Sequence, residues 1–283
     1  MKILLTGRTG QLGSELQGPL SSLGELIACD RSNMDLSRPE SLAVLVRGVR
    51  PDLIVNAAAY TAVDRAESEP DLARRVNAEA VQALAQEARA LGALLVHYST
   101  DFVFDGTAQR PYRESDPTGP LSVYGSSKLA GEQAIAAVGA RHLILRTGWV
   151  YSARRSNFVL TMLRSARERR ELRVVDDQVG APTWSRDLAA ATVAALKRRE
   201  PLEGLFHVSA AGQGSRWTVA CRVLQLADLA TPVIPVSTEQ FPTPARRPKY
   251  SVLDSGRFAQ ETGFHIGAWD ERLSSCIQQG GFS

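Results

Sequence analysis

Tyr124-Gly125-Ser126-Ser127-Lys128 sets a phenol and an ammonium four residues apart, one helical turn, so that both share a face and can work as one acid. A free tyrosine titrates near ~10, and a cation held beside it stabilises the phenolate and lowers that value. Such a pair can supply the proton that turns a ketone into an alcohol. Of the 33 Lys+Arg residues only Lys2, Lys128, Lys197 and Lys249 are lysine, so Lys128 departs from the chain's habitual cation. The competing reading is an exposed helix on which the tyrosine packs and the lysine is solvated. Ser99-Thr100, after the apolar run Leu94-Leu95-Val96, adds a hydroxyl able to donate to a carbonyl oxygen as it becomes an alkoxide. Strand filler is the alternative for Ser99-Thr100, and a loop cap for Asp101.

Reduction needs a hydride source, and the N-terminus offers a place for one. The first apolar run ends in Thr6-Gly7-Arg8-Thr9-Gly10-Gln11-Leu12-Gly13, and a helical pattern follows at once through Leu16. Gly7, Gly10 and Gly13 permit a tight turn and close backbone approach to a pyrophosphate, which sits at the positive end of the helix opened by Gln11 and Leu12. The spacing is Gly-x-x-Gly-x-x-Gly, and its place between first strand and first helix identifies it as a dinucleotide site rather than a structural glycine turn. Asp30, about 20 residues on, suits the ribose hydroxyls of NAD, whereas Arg31 and Arg8 suit the 2′-phosphate of NADP. The cofactor is therefore read as NADP or NAD, with NADP placed first. Asp35 and Leu36 fall beside the adenine in this reading, although Asp35 suits a helix N-cap equally well. Ala57-Ala58-Ala59-Tyr60 ends the third apolar run with small side chains that let a ligand lie against the backbone; a helix-starting alanine run is the competing reading.

The elements that must position these groups are legible as a period. Ile3-Leu4-Leu5, Leu26-Ile27-Ala28, Leu53-Ile54-Val55, Leu94-Leu95-Val96, Leu143-Ile144-Leu145 and Val174-Val175 read as buried parallel strands, with crossover helices between them. Ala73 to Leu91 is the clearest helix, with Gly92 as its stop. The pattern predicts an α/β, doubly wound parallel sheet of Rossmann type over residues 1–150. A smaller C-terminal lobe is expected over residues 151–283, with chain passing back to the sheet. Ser156–Arg170, Ser185–Arg198 and Thr218–Leu229 read as its helices, and the five prolines from Pro232 to Pro248 as extended chain or turns.

Composition excludes other classes. A formal charge of +3 comes from scattered arginines without a basic block, which argues against nucleic acid. No apolar run approaches the roughly 18 residues of a membrane span, and Met1-Lys2 leads into a strand rather than a signal peptide, so a cytoplasmic protein is expected. Cys29, Cys221 and Cys276 are too scattered for zinc or disulfides and read as reduced thiols.

The glycine turn, the strand-terminal Ser/Thr and Tyr-x-x-x-Lys resemble the extended short-chain dehydrogenase/reductases acting on sugar nucleotides. Four blocks resemble, more narrowly, the dTDP-4-dehydrorhamnose reductase family: Asn56–Asp64, Ser99–Gly106, Tyr124–Glu132 and Asp176–Thr183. Arg146–Tyr151 and Arg246-Arg247-Pro248 continue the likeness more loosely. The resemblance implies NAD(P)H-dependent reduction of the C4 ketone of dTDP-4-dehydro-β-L-rhamnose. In it Tyr124 is the acid, Lys128 holds the nicotinamide ribose and lowers the Tyr124 pKa, and Thr100 orients the carbonyl. Val63, Asp101, Phe102 and Trp149 match positions lining the sugar pocket; Phe102 replaces a tyrosine frequent in the family and removes a hydroxyl donor. Arg247 is a candidate for the diphosphate, against a solvated loop arginine. Family dimers bridged by magnesium use acidic side chains. Glu15 suits that role, but Arg186 stands where a second acid is needed, so a monomer or a homodimer without a bridging metal is expected.

Three rivals remain. A 4,6-dehydratase needs a second carboxylate after Asp101, where the chain has Phe102. A reductase of another dTDP-4-keto-6-deoxysugar would share every block. A non-catalytic dinucleotide-binding subunit, like the β subunit of methionine adenosyltransferase, would share the scaffold without needing Thr100, Tyr124 and Lys128.

Overall fold

Five of the apolar runs become the strands β1 (Lys2–Thr6), β2 (Glu25–Ala28), β3 (Leu53–Asn56), β4 (Leu94–Thr100) and β5 (His142–Thr147). In the computed structural model, which describes residues 1–280, they join a sixth strand, Gly204–His207, in one sheet ordered Gly204–His207, β5, β4, β3, β1, β2. Every pairing is parallel. Side chains alternate between faces, so Ile3, Leu5, Val55, Val96 and Leu145 enter one core while Leu4, Ile54, Leu95 and Ile144 enter the other. Helices cover both faces, which is why these strands read as unbroken apolar runs. After β2 the chain crosses over β1 to lay down β3, and this reversal opens a crevice at the carboxyl ends of β1 and β3, the place where such sheets bind ligands.

The sixth expected strand is a correction. Leu172–Val175 is a parallel strand, but it pairs with Val233–Val236 in a separate two-stranded sheet. The edge position beside β5 is taken by Gly204–His207. The expected helix through Ala73 to Leu91 is also interrupted: Pro70–Arg74 is α-helical, Arg75–Glu79 makes a π turn, and Ala80–Leu91 resumes the α-helix. Gly92 stops it with φ of 69°, a left-handed conformation that glycine takes without strain. Helices at Phe158–Glu168, Ser185–Leu196 and Arg216–Leu226 match the expected C-terminal helices within a few residues, and the proline-rich stretch runs as a strand and a 3₁₀ turn. Among the described residues no helix is long and apolar enough to cross a membrane.

Candidate active site

The glycine turn is built by close contacts that a side chain would forbid. Gly7 has φ of 70°, and a Cβ on it would lie 2.9 Å from Ala58 N; a Cβ on Gly13 would lie 2.0 Å from Gly7 O. Gly10 caps the helix Gln11–Ser21 and donates its N–H to Gly7 O at 2.8 Å. The turn thus lies against the Ala57-Ala58 segment across the β1/β3 crevice, a cradle with bare backbone on both walls. Leu12 packs into the core, so only its backbone is free to meet a ligand. Gln11 accepts a hydrogen bond from Ser152 at 3.0 Å, and Arg155 reaches Thr9 O at 2.7 Å. This strap over the turn carries no motif in the sequence.

Asp30 ends at β2 as expected. Its Oδ1 accepts from Ser32 and its Oδ2 from Arg8 Nε at 2.8 Å, and these bonds hold its pKa at about 2. Arg8 therefore stands beside the acid rather than away from it, with exposed Arg31 next along the chain and paired to Asp35 at 3.6 Å. Asp35 accepts from Ser37 and is not an N-cap, since the cap of the helix Pro39–Val49 is Arg38. Leu36 is buried in the core. Ala57, Ala58, Ala59 and Tyr60 form a loop rather than a helix start, because the next helix begins at Val63. That loop is fixed by Asn77 of the π turn, whose amide accepts from Tyr60 N at 2.9 Å and donates to Tyr60 O at 3.0 Å and Ser127 Oγ at 2.9 Å.

Tyr124 and Lys128 lie on the helix Val123–Val138, capped by Ser122, which accepts from Gly125 N at 3.1 Å. Gly125 is required because a Cβ there would sit 2.3 Å from Phe102 O. That contact presses the helix onto the end of β4 and brings Tyr124 to Thr100, whose hydroxyl favours the phenolate. Phe102 packs edge-to-face on the Tyr124 ring, centroids 5.8 Å apart. Burial nonetheless pushes Tyr124 up to about 12, and Asp101 adds to the rise. The expectation that Lys128 lowers the Tyr124 pKa is therefore not met. The physical reason is that Lys128 is itself buried and turned to His97, its Nζ 3.2 Å from Nε2. Burial lowers Lys128 to about 8, opposed by Glu132, which Arg146 grips through two bonds of 2.9 and 2.6 Å.

Asp101 is buried, accepts from Thr100 at 3.1 Å through Oδ1, and leaves Oδ2 without a hydrogen-bond partner among the described residues. Burial raises it to about 6. Gly148 makes room for its carboxyl, since a Cβ there would lie 2.7 Å from Oδ2. Trp149 follows with φ of 50°, and Gly180 of the fourth sequence block admits its indole, which would touch a Cβ at 2.3 Å. Val63 opens the short helix Val63–Ala66. Arg247 is already committed: Nη1 and Nη2 donate to Asp64 at 3.0 and 2.7 Å. It ties the proline-rich segment to the Val63 helix. The residue that sequence reasoning missed is Arg216. Its guanidinium lies 3.6 Å over the Trp149 ring and 5.1 Å from that of Phe158, with no carboxylate paired to it among the described residues. Burial lowers its pKa to about 10, with Asp101 opposing and Arg247 adding to the fall. The only signal for it was position, four residues after the glycine of Gly212 and beside Trp217, and no motif marks it. Glu15 pairs with Arg186 at 3.1 Å.

The site thus joins a glycine cradle, a Thr/Tyr/Lys group and a desolvated guanidinium at one sheet edge. The family model for the RmlD substrate binding domain matches residues 1–281. The chain is 45% identical to the dTDP-4-dehydrorhamnose reductase of Burkholderia thailandensis, covering 98% of each chain. It is 46% identical to that of Escherichia coli K12, covering 99% of this chain and 98% of that one. The structure of the Bacillus anthracis dTDP-4-dehydrorhamnose reductase in complex with NADP superposes with a TM-score of 0.94 at 35% identity, covering 98% and 99%. With a match that runs from residue 1 through every block that builds the site, the chain belongs to the dTDP-4-dehydrorhamnose reductase family.

Proposed function

We propose that the protein reduces the C4 ketone of dTDP-4-dehydro-β-L-rhamnose with NADPH, giving dTDP-L-rhamnose. The observation that carries the reading is the placing of Thr100 and Tyr124 together at the end of β4, beside a cradle that any Cβ at Gly7 or Gly13 would fill. The residues present fit a dinucleotide: backbone of Gly7 to Gly13 for the pyrophosphate, Ala57 to Tyr60 along its flank, and Arg8 and Arg31 for a 2′-phosphate. When bound, that cofactor supplies the hydride that C4 receives.

The chain's own residues do the rest. Thr100 orients the carbonyl oxygen and Tyr124 delivers the proton to it. A phenol held near 12 remains an adequate acid for this, because an alkoxide is a far stronger base than a phenolate. Phe102 keeps the tyrosine in place and, being apolar, offers no base for elimination chemistry. Asp101, Trp149 and Val63 border the sugar in this reading. Arg216 takes the diphosphate, since its side chain has no hydrogen-bond partner among the described residues while the donors of Arg247 are spent on Asp64. Residues 1–150 form the dinucleotide unit of this reading and residues 151–283 the substrate lobe, whose strand Gly204–His207 returns to the sheet. The reading includes action in the cytoplasm, where nucleotide sugars and NADPH are made. The test is loss of NADPH absorbance on adding the ketosugar to purified protein. Full cofactor binding without any oxidation of it would overturn the assignment.

A further inference from the structure

The proposed reduction gives no task to His97, yet His97 is the one hydrogen-bond partner of Lys128 Nζ among the described residues. The contact is one link in a buried row. Thr6 donates its hydroxyl to Asn56 Oδ1 at 2.7 Å, Asn56 Nδ2 lies 3.1 Å from His97 Nδ1, and His97 Nε2 lies 3.2 Å from Lys128 Nζ. Thr6 Oγ1 also accepts from Ala58 N at 3.2 Å, so the row begins in the cradle wall and ends at the lysine. All four side chains are almost wholly out of water.

Burial and the neighbouring lysine keep the His97 ring neutral, which leaves it one N–H and one lone pair. The row then has two self-consistent directions. With Lys128 charged, Nζ donates to Nε2, Nδ1–H donates onward, and Asn56 must present its carbonyl oxygen. With Lys128 neutral, Nε2–H donates to the amine and Nδ1 accepts from Asn56 Nδ2, the orientation Asn56 has in this structure. Half a turn of one amide converts one direction into the other. Lys128 has no other hydrogen bond among the described residues. The other ionisable groups around it are Tyr124 one turn before and Glu132 one turn after, the latter taken up by Arg146 of β5, while Asp101 acts on Tyr124.

We propose that His97 is the positioning residue of Lys128: when Asn56 turns its carbonyl oxygen to Nδ1, opposite to its orientation in this structure, the ring becomes the acceptor that keeps the lysine charged inside the core, and Asn56 and Thr6 couple that charge to the wall of the cofactor cradle. The inference rests on the reductase reading only in directing Lys128 at the bound dinucleotide. Burial has already brought Lys128 down to about 8, and on this proposal loss of the His97 acceptor lowers it further.

The experiment is a set of NADPH titrations by nucleotide fluorescence from pH 6 to 9, with wild type, His97→Asn and His97→Gln. Asparagine keeps a polar atom near Nδ1 but does not reach Nζ; glutamine restores an acceptor near Nε2. Wild-type affinity is expected to fall as pH rises through about 8. For a lysine lowered by about one further pH unit, His97→Asn binds as wild type at pH 6 and about tenfold more weakly at pH 9, and His97→Gln follows wild type within about twofold. A loss of equal factor at both pH values, coincident curves, or a glutamine variant that behaves as asparagine overturns the proposal. Should His97→Asn not fold, ¹⁵N spectra of the wild-type imidazoles decide it, because His97 must exchange its protonated nitrogen at the pH where Lys128 titrates; a fixed tautomer overturns it. Wild type that shows this binding profile yet reduces no ketosugar removes the reductase reading alone, and turnover with coincident profiles removes this inference alone.

Discussion

Asp101→Asn separates the stability of the fold from the working of the site. The Asp101 carboxyl is buried with one oxygen unpartnered, and burial raises it from 3.8 to about 6. A rise of that size corresponds to about 3 kcal/mol of destabilisation once the group is ionised. The folded protein holds this proton more tightly than the unfolded chain, so stability falls as pH rises from about 4 to about 6. The full cost is in place above that window and absent below it. Asparagine never ionises, and part of its gain is offset by loss of the negative charge that favours the Arg216 cation. The net expectation at pH 7 is a gain of about 1–3 kcal/mol, measured by urea or thermal unfolding, shrinking as the pH is lowered toward 4.5. Turnover should fall by about tenfold or more, the worth of a hydrogen bond from a charged group to substrate. A variant that is less stable than wild type at pH 7, or a difference that does not change with pH, would refute the account of Asp101 as an acid whose burial outweighs its partners Thr100, Ser251 and Arg216.

Tyr124→Phe should lower kcat by about 10²-fold or more with NADPH affinity unchanged, whereas Thr100→Val should be milder; steady-state kinetics and fluorescence titration check both. Gly13→Ala forces a Cβ from 2.0 Å of Gly7 O to at least ordinary contact, a backbone shift of about 1.4 Å, and should cost about 1–3 kcal/mol while abolishing NADPH binding. Gly48→Ala, whose Cβ meets nothing, should leave binding intact and add about 0.5–1 kcal/mol in the same unfolding assay. Arg216→Leu should raise KM for the nucleotide sugar by about 10- to 100-fold, and Arg247→Leu much less, because the bonds it breaks run to Asp64, Thr243 and Ala245 of the chain itself.

How much of this was legible follows from what each residue's neighbours are. β1 to β5 announced themselves because strands buried on both faces are continuous apolar runs. The sixth strand did not, since Gly204-Leu205-Phe206-His207 holds two apolar residues between a glycine and a histidine, and Val174-Val175 made a better pattern. The π turn left no mark because its residues are ordinary helix formers, and only Asn77, pinning the Tyr60 loop, reveals its use. Thr100, Tyr124 and the glycines were visible as motifs. The charge states were not, because burial of Tyr124, Lys128 and Asp101 depends on chain packed over them from distant segments. Lysine scarcity pointed to Lys128 but not to His97, its neighbour on β4.

The pairing of Gly204–His207 with β5 bears on how the chain is made as well as on how it works. A nascent chain leaving the ribosome carries a glycine cradle and Tyr124 long before it carries residue 207. Until then β5 presents a bare row of N–H and C=O groups, the kind of edge that pairs with other chains. A proteolytic fragment ending near Val150 would keep that edge permanently, so it should aggregate rather than survive as a small dinucleotide-binding protein.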